Sequence, residues 1–148
     1  MSDALPLLIP HAGPMRLLAR VVSHDGEETV CAARPGEMPL FAGADGAVPS
    51  WVGIEVMAQC AAAHGGLLGR AHGEPPRPGL FVGSRRLVFR CDRFAADSEL
   101  RVRARLALRR GESLAFDCAI DDPAGGAPLV EGRLNVLLLP GIPLRRPA

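Results

Sequence analysis

The residue that asks for chemistry is Glu55, inside the run VPSWVGIEVMAQ from Val48 to Gln59. A lone carboxylate among apolar neighbours is costly unless it is paired or functional. Such surroundings are expected to raise its pKa, which suits a general acid. The bland alternative is a Glu paired with an Arg or with a helix cap. Gln59 follows one turn later on the same side. It can brace the carboxylate or serve as a buried amide at a subunit contact. Acid–base work needs a second group, most often an imidazole, and the chain has four histidines. His64 lies nine residues after Glu55. At about 100° per residue that is the opposite side of a helix, so the two cannot share a face within one subunit. His64 meets a site only through a partner subunit or the far end of the helix, and otherwise reads as a core or interface histidine. His24 and His72 stand beside turn signals and read as solvated.

The elements that must position these groups follow from periodicity. From Trp51 to about Leu68 the residues are mostly Ala, Val, Met, Leu and Ile. A segment apolar on all sides is a helix surrounded by protein, about 25 Å long at about 1.5 Å per residue. Ser50 is a plausible N-cap, Gly53 a weak point in the first turn, and the end is expected near Gly69. Upstream, Arg16–Ser23 and Thr29–Ala33 read as strands around the turn signal HDGEE. The segment RPGEMPLFAGADGAVPS that follows is a loop longer than a plain connector, and loops of that kind are often functional. Downstream, Gly79–Phe89 is mixed apolar. Glu99–Arg109 alternates, with Leu100, Val102, Ala104, Leu106 and Leu108 on one face and Arg101, Arg103, Arg105 and Arg109 on the other. Leu114–Ile120 and Val130–Leu138 alternate in the same way, as antiparallel strands with one packed face do. Two strands, a long loop, one helix and four strands give an α+β fold, with a curved antiparallel sheet wrapped around one long central helix.

Composition narrows the function classes. A chain of 148 residues suits one domain, here 1–148. The formal net charge of +1 gives no global attraction to nucleic acid or anionic membrane. All 17 basic residues are Arg, which reads as codon bias. No apolar run approaches the ~20 residues of a membrane span, and the start lacks the pattern of a signal peptide. Cys31, Cys60, Cys91 and Cys118 are far apart and lack CxxC spacing, so metal and disulfides are not expected. Reduced, largely buried thiols in a cytoplasmic protein are the simpler reading.

Three segments carry a family resemblance across residues 5 to 139: LIPHAGPMRLLARV, VPSWVGIEVMAQ and GLFVGSRRLVFRCDRFAADSEL. Together they resemble the 3-hydroxyacyl-[acyl-carrier-protein] dehydratases. PHAGPM, GIE, AQ and HGGL bring the likeness closest to the dehydratase-like proteins of aryl polyene biosynthesis. The resemblance implies a hotdog fold, a homodimer or a heterodimer with another hotdog subunit, and a thioester substrate on acyl carrier protein or coenzyme A. It implies neither cofactor nor metal, and no nucleic acid or membrane partner.

The resemblance also implies roles. Glu55 falls on the family's helix Glu, and Gln59 on the Gln that steadies it. The amides of Ser50 and Trp51 bind the thioester oxygen at the helix start, where the helix dipole helps. Gly83 and Ser84 line the acyl tunnel. The family's loop His, fourteen residues before the Glu, falls on Phe41 here. His11 in PHAG and His64 are therefore the candidate bases, with Asp45 a weaker third that otherwise reads as a turn residue. Arg85, Arg86, Arg90 and Arg93 form a basic cluster that could meet an acidic carrier or simply solvate an edge strand. The missing loop His leaves two alternatives open: an acyl thioesterase, which needs a carboxylate and a water, and a non-catalytic subunit paired with an active dehydratase.

Overall fold

The computed structural model describes residue 9, residues 11–75 and residues 77–139. Leu7, Leu8 and Pro10 of the turn-rich stretch LLIPHAGPM, the lead-in to the first strand, lie outside the described residues. The strands are β1 (Leu18–His24), β2 (Glu28–Ala33), β3 (Val48–Pro49), β4 (Gly79–Phe89), β5 (Arg93–Phe94), β6 (Leu100–Arg110), β7 (Ser113–Asp121) and β8 (Val130–Leu138); the α-helix among the described residues, α1, spans Gly53–Ala71. Six strands form one antiparallel sheet in the order β1-β2-β6-β7-β8-β4, and β3 pairs with β5 in a small second sheet. Helix α1 packs against β6, β2, β7 and β1. This is the hotdog arrangement. No helix among the described residues is long and apolar enough to cross a membrane.

The core lies between helix and sheet. Val56, Met57, Cys60 and Ala63 of α1 meet Cys31, Val102, Phe116, Ile120 and Leu134 from the strands. Each large side chain sealed there stabilises by about 1.5–3 kcal/mol. Cys31, Cys60 and Cys118 are buried free thiols, and the Cys60 thiol faces the Thr29 and Val102 carbonyls at 3.4 and 3.5 Å.

Four expectations change. First, Ser50 opens a 3-10 turn, Ser50–Val52, that leads straight into α1 without a side-chain cap. Gly53 is a packing requirement as much as a weak point, because a Cβ there would lie 2.9 Å from Ile120 Cδ1 and 3.2 Å from Phe94 Cζ. Second, α1 is not enclosed on all sides within the chain. Ile54, Glu55, Ala58, Ala62 and Gly65 form a partly open stripe at the spacing of one helix face. Third, β6 does not alternate to its end. A register shift between Leu106 and Leu108 sets Leu108 opposite Ala115 and Arg109 opposite Leu114. The extra residue turns Leu108 to the outer face, where it is exposed, since a bulge reverses the side-chain sequence beyond it. Fourth, the helix runs to Ala71; Gly73, at φ +69°, and Glu74 donate back to Arg70 and Gly69 and end it there.

Candidate active site

The lead-in and the helix meet through one side chain. Gln59, fully buried, accepts from the Leu17 amide at 2.8 Å and donates to the Met15 carbonyl at 2.7 Å. These bonds hold the 3-10 turn Gly13–Met15 against α1. They also explain why β1 begins at Leu18, since the preceding amide is spoken for. The same carboxamide nitrogen lies 3.0 Å from Glu55 Oε1, one turn back on the helix.

That clamp brings His11 to Glu55. His11 Nε2 is 3.1 Å from Glu55 Oε1, with side chains 29% and 39% exposed. The pair is thus half-buried at the open stripe of α1. The expected sealing of Glu55 in apolar surroundings is not met, and with it goes the desolvation argument for a general acid. His11 Nδ1 is buried and has no hydrogen-bond partner among the described residues.

The structure does not bring His64 to this pair. His64 is fully buried in the core, on the far side of α1, as the helical angle requires. Its Nδ1 lies 2.8 Å from Thr29 Oγ1, which lies 2.8 Å from His24 Nδ1. The His24 and His64 rings meet edge to face at 5.1 Å, and Phe116 meets His64 at 5.7 Å. Burial pushes the His64 imidazole down to about 4, with the nearby His24 adding to the shift. His24 is therefore part of a half-buried chain and not freely solvated, whereas His72 is exposed at the helix end.

The helix start differs in detail from expectation. The Ser50 amide donates to the Asp92 carbonyl at 2.9 Å, so it is not free for a thioester oxygen. The Trp51 and Val52 amides head the 3-10 turn, where helix geometry leaves N–H groups without internal partners. Val52 was not among the sequence candidates; the one-residue offset comes from the 3-10 turn. Trp51 is 61% exposed, four residues before Glu55 and so on the same face. Phe41, where a His would be expected, meets Trp51 edge to face at 6.2 Å.

The remaining candidates lie elsewhere. Asp45 Oδ1 bonds the Ala47 amide at 3.1 Å and Arg93 at 3.0 Å, so its carboxylate is committed to the loop. Gly83 and Ser84 lie on β4, the free edge of the sheet, and not among the strands that pack on α1. The physical reason is that β8 stands between β4 and β7, the nearest strand in the sheet that packs on α1. Sequence reasoning missed the Met15 carbonyl and the Leu17 amide, because backbone groups carry no residue signal.

The comparisons bear on the fold and the family. A chain of the dehydratase heterocomplex ApeI:P from Xenorhabdus doucetiae is 27% identical, with 92% of this chain and 91% of that chain covered and a TM-score of 0.84. Two more distant structures share the fold. One is Cj0977, a sigma28-regulated virulence protein from Campylobacter jejuni, at 11% identity, 97% and 93% coverage and a TM-score of 0.70. The other is a hypothetical thioesterase with coenzyme A from Streptococcus pneumoniae, at 10% identity, 81% and 84% coverage and a TM-score of 0.62. No curated protein matches the chain. The family model of ApeP-like dehydratases, described as ApeP dehydratase, matches residues 4–140. With the model matching nearly the whole chain, the protein belongs to the ApeP-like dehydratase family.

Proposed function

We propose that the protein is a single-domain dehydratase of 3-hydroxyacyl thioesters carried on acyl carrier protein or coenzyme A, acting in the cytoplasm in fatty acid or polyene synthesis. The observation that carries this reading is the His11–Glu55 pair at 3.1 Å. Dehydration removes a proton beside the thioester carbonyl and protonates the departing hydroxyl, so it needs a base and an acid together. One proton on the pair suffices. With that proton on Glu55, shared across the 3.1 Å contact and not held there by burial, His11 takes the α-proton, Glu55 gives its proton to the hydroxyl, and water leaves. The products are an α,β-unsaturated thioester, His11 as imidazolium and Glu55 as carboxylate. A proton passing back across the short contact restores the starting state. The Trp51 and Val52 amides are placed to receive the negative charge that develops on the thioester oxygen. Phe41 then has no proton to move; it supports Trp51.

The edge strand β4 supports pairing with a second hotdog subunit, homologous or identical. Leu80, Phe81, Val82, Val88 and Phe89 are all exposed along it, and an open edge invites strand pairing. In such an assembly Gly83 and Ser84 reach an acyl tunnel across the interface. The ApeI:P relative is a heterocomplex.

The test is direct. The purified protein, alone and with a hotdog partner, is given a 3-hydroxyacyl thioester, and conjugated alkene and free thiol are both followed. Alkene without thiol is expected. Thiol release would instead assign a thioesterase, and no product with any partner would assign a non-catalytic subunit. Glu55→Gln is expected to lower alkene formation at least about 100-fold; an unchanged rate sinks the site assignment.

A further inference from the structure

A second feature lies away from the His11–Glu55 pair, on the opposite face of the sheet. In the β4–β8 pairing, Arg85 stands directly across from Arg133. Like charges in that position oppose each other. Arg133 is answered by Asp117, with hydrogen bonds of 2.8 and 3.1 Å to its two oxygens. The next carboxylate along β8, Glu131, is answered by Arg90 at 2.8 Å. Neither Arg85 nor Arg86 forms an ion pair among the described residues.

The backbone here is shaped at some cost. The β4 register shifts between Arg85 and Val88. Within that bulge Arg86 has φ +56°, the one non-glycine residue in the left-handed region among those described. Conformations of this kind cluster where a site needs them. Gly132 makes the bulge possible, because a Cβ there would lie 2.5 Å from Leu87 Cδ2 and 3.3 Å from the Arg85 carbonyl. The result is a cleft of about 460 Å³ lined by Arg85, Arg86, Asp117, Glu131, Gly132 and Arg133. That volume is in the range of small-molecule sites. The Asp117 carboxyl is held below its usual range mainly by its bond to Arg133, and the charges of Arg105 and Arg86 add to this. Arg86 itself lines the cleft.

We propose that this cleft binds a phosphate-bearing small molecule, with Arg85 and Arg86 holding the phosphate group. The guanidinium fork matches phosphate oxygens in pairs. Two uncompensated positive charges call for a dianion. A carboxylate ligand would bring only one charge for the two guanidinium groups, while Asp117 and Glu131 are already answered by Arg133 and Arg90. Inorganic phosphate and a larger phosphomonoester share this chemistry, and the test separates them.

Thermal unfolding of the full chain is followed at constant ionic strength while chloride is replaced by inorganic phosphate, AMP or adenosine. Phosphate and AMP are expected to raise Tm beyond the chloride value, and adenosine is not. A larger rise with AMP identifies an organic phosphate; equal rises identify phosphate alone. Phosphate also stabilises proteins in general by exclusion from their surface, so the double variant Arg85→Gln, Arg86→Gly is the reference. Glycine relieves the positive φ, and the variant is expected to keep or exceed the wild-type Tm in chloride. Its apparent affinity for phosphate and AMP should fall at least tenfold. No rise in the wild type, or an equal rise in the variant, overturns the proposal.

Discussion

At the scale of the residue, the two buried-looking histidines separate by environment. His11 is drawn to a carboxylate at the open stripe of α1. His64 is sealed in the core, with Nε2 lacking a partner among the described residues, and its imidazole is pushed down to about 4 by burial. The direction fixes the pH dependence. An unfolded His64 takes up a proton near 6.5, while the folded one resists until about 4. Stability from this residue is complete above pH 6.5 and is lost as the pH falls from there to 4, by up to about 3 kcal/mol. Denaturant titrations at pH 7, 5.5 and 4.5 should show this loss, and His64→Leu should flatten it. A wild-type curve parallel to that of the variant would show that His64 titrates normally.

At the scale of the element, α1 is set by its first turn. Gly53 rests so close to Ile120 Cδ1 and Phe94 Cζ that Gly53→Ala must displace these side chains or shift the helix start. Overpacking of this kind costs about 1–3 kcal/mol, and the same shift moves the Trp51 and Val52 amides. Lowered stability together with a lowered kcat is the expected outcome, read by urea unfolding and by alkene formation. An Ala variant with wild-type stability would mean that the helix start is loose. Much of this level was legible in the sequence. Period-two patterns located β6, β7 and β8 within a residue or two, because one of their faces is truly buried. What stayed hidden was set by geometry between neighbours. The bulge beyond Leu106 leaves no mark in composition, so the outward turn of Leu108 could not be read. The Ser50 amide was spent on Asp92, a partner far along the chain. Glu55 and Gln59 stood out by residue type, while the route by which His11 arrives depends on two backbone groups.

At the scale of the whole molecule, the proposed assembly rests on β4. On either side of its Ser84–Arg86 stretch the exposed side chains Leu80, Phe81, Val82, Val88 and Phe89 are apolar, and Val82 is 57% exposed. A change there costs the isolated chain little, yet a charge at a strand edge blocks pairing with another strand. Val82→Lys is expected to leave the unfolding midpoint of the single chain nearly unchanged and to halve the mass in light scattering. A wild type that scatters as a monomer, with and without a hotdog partner, would remove β4 from this role. The clamp made by Gln59 has a consequence of another kind. The Leu17 N–H ends on a side chain and not in the sheet, so its protection from hydrogen exchange depends on the lead-in being docked. Release of the lead-in would expose that one amide while the ladder from Leu18 onward stays closed. The exchange rate of Leu17 thus reports how often the lead-in leaves Gln59, the clamp beside which His11 meets Glu55, without substrate and without turnover.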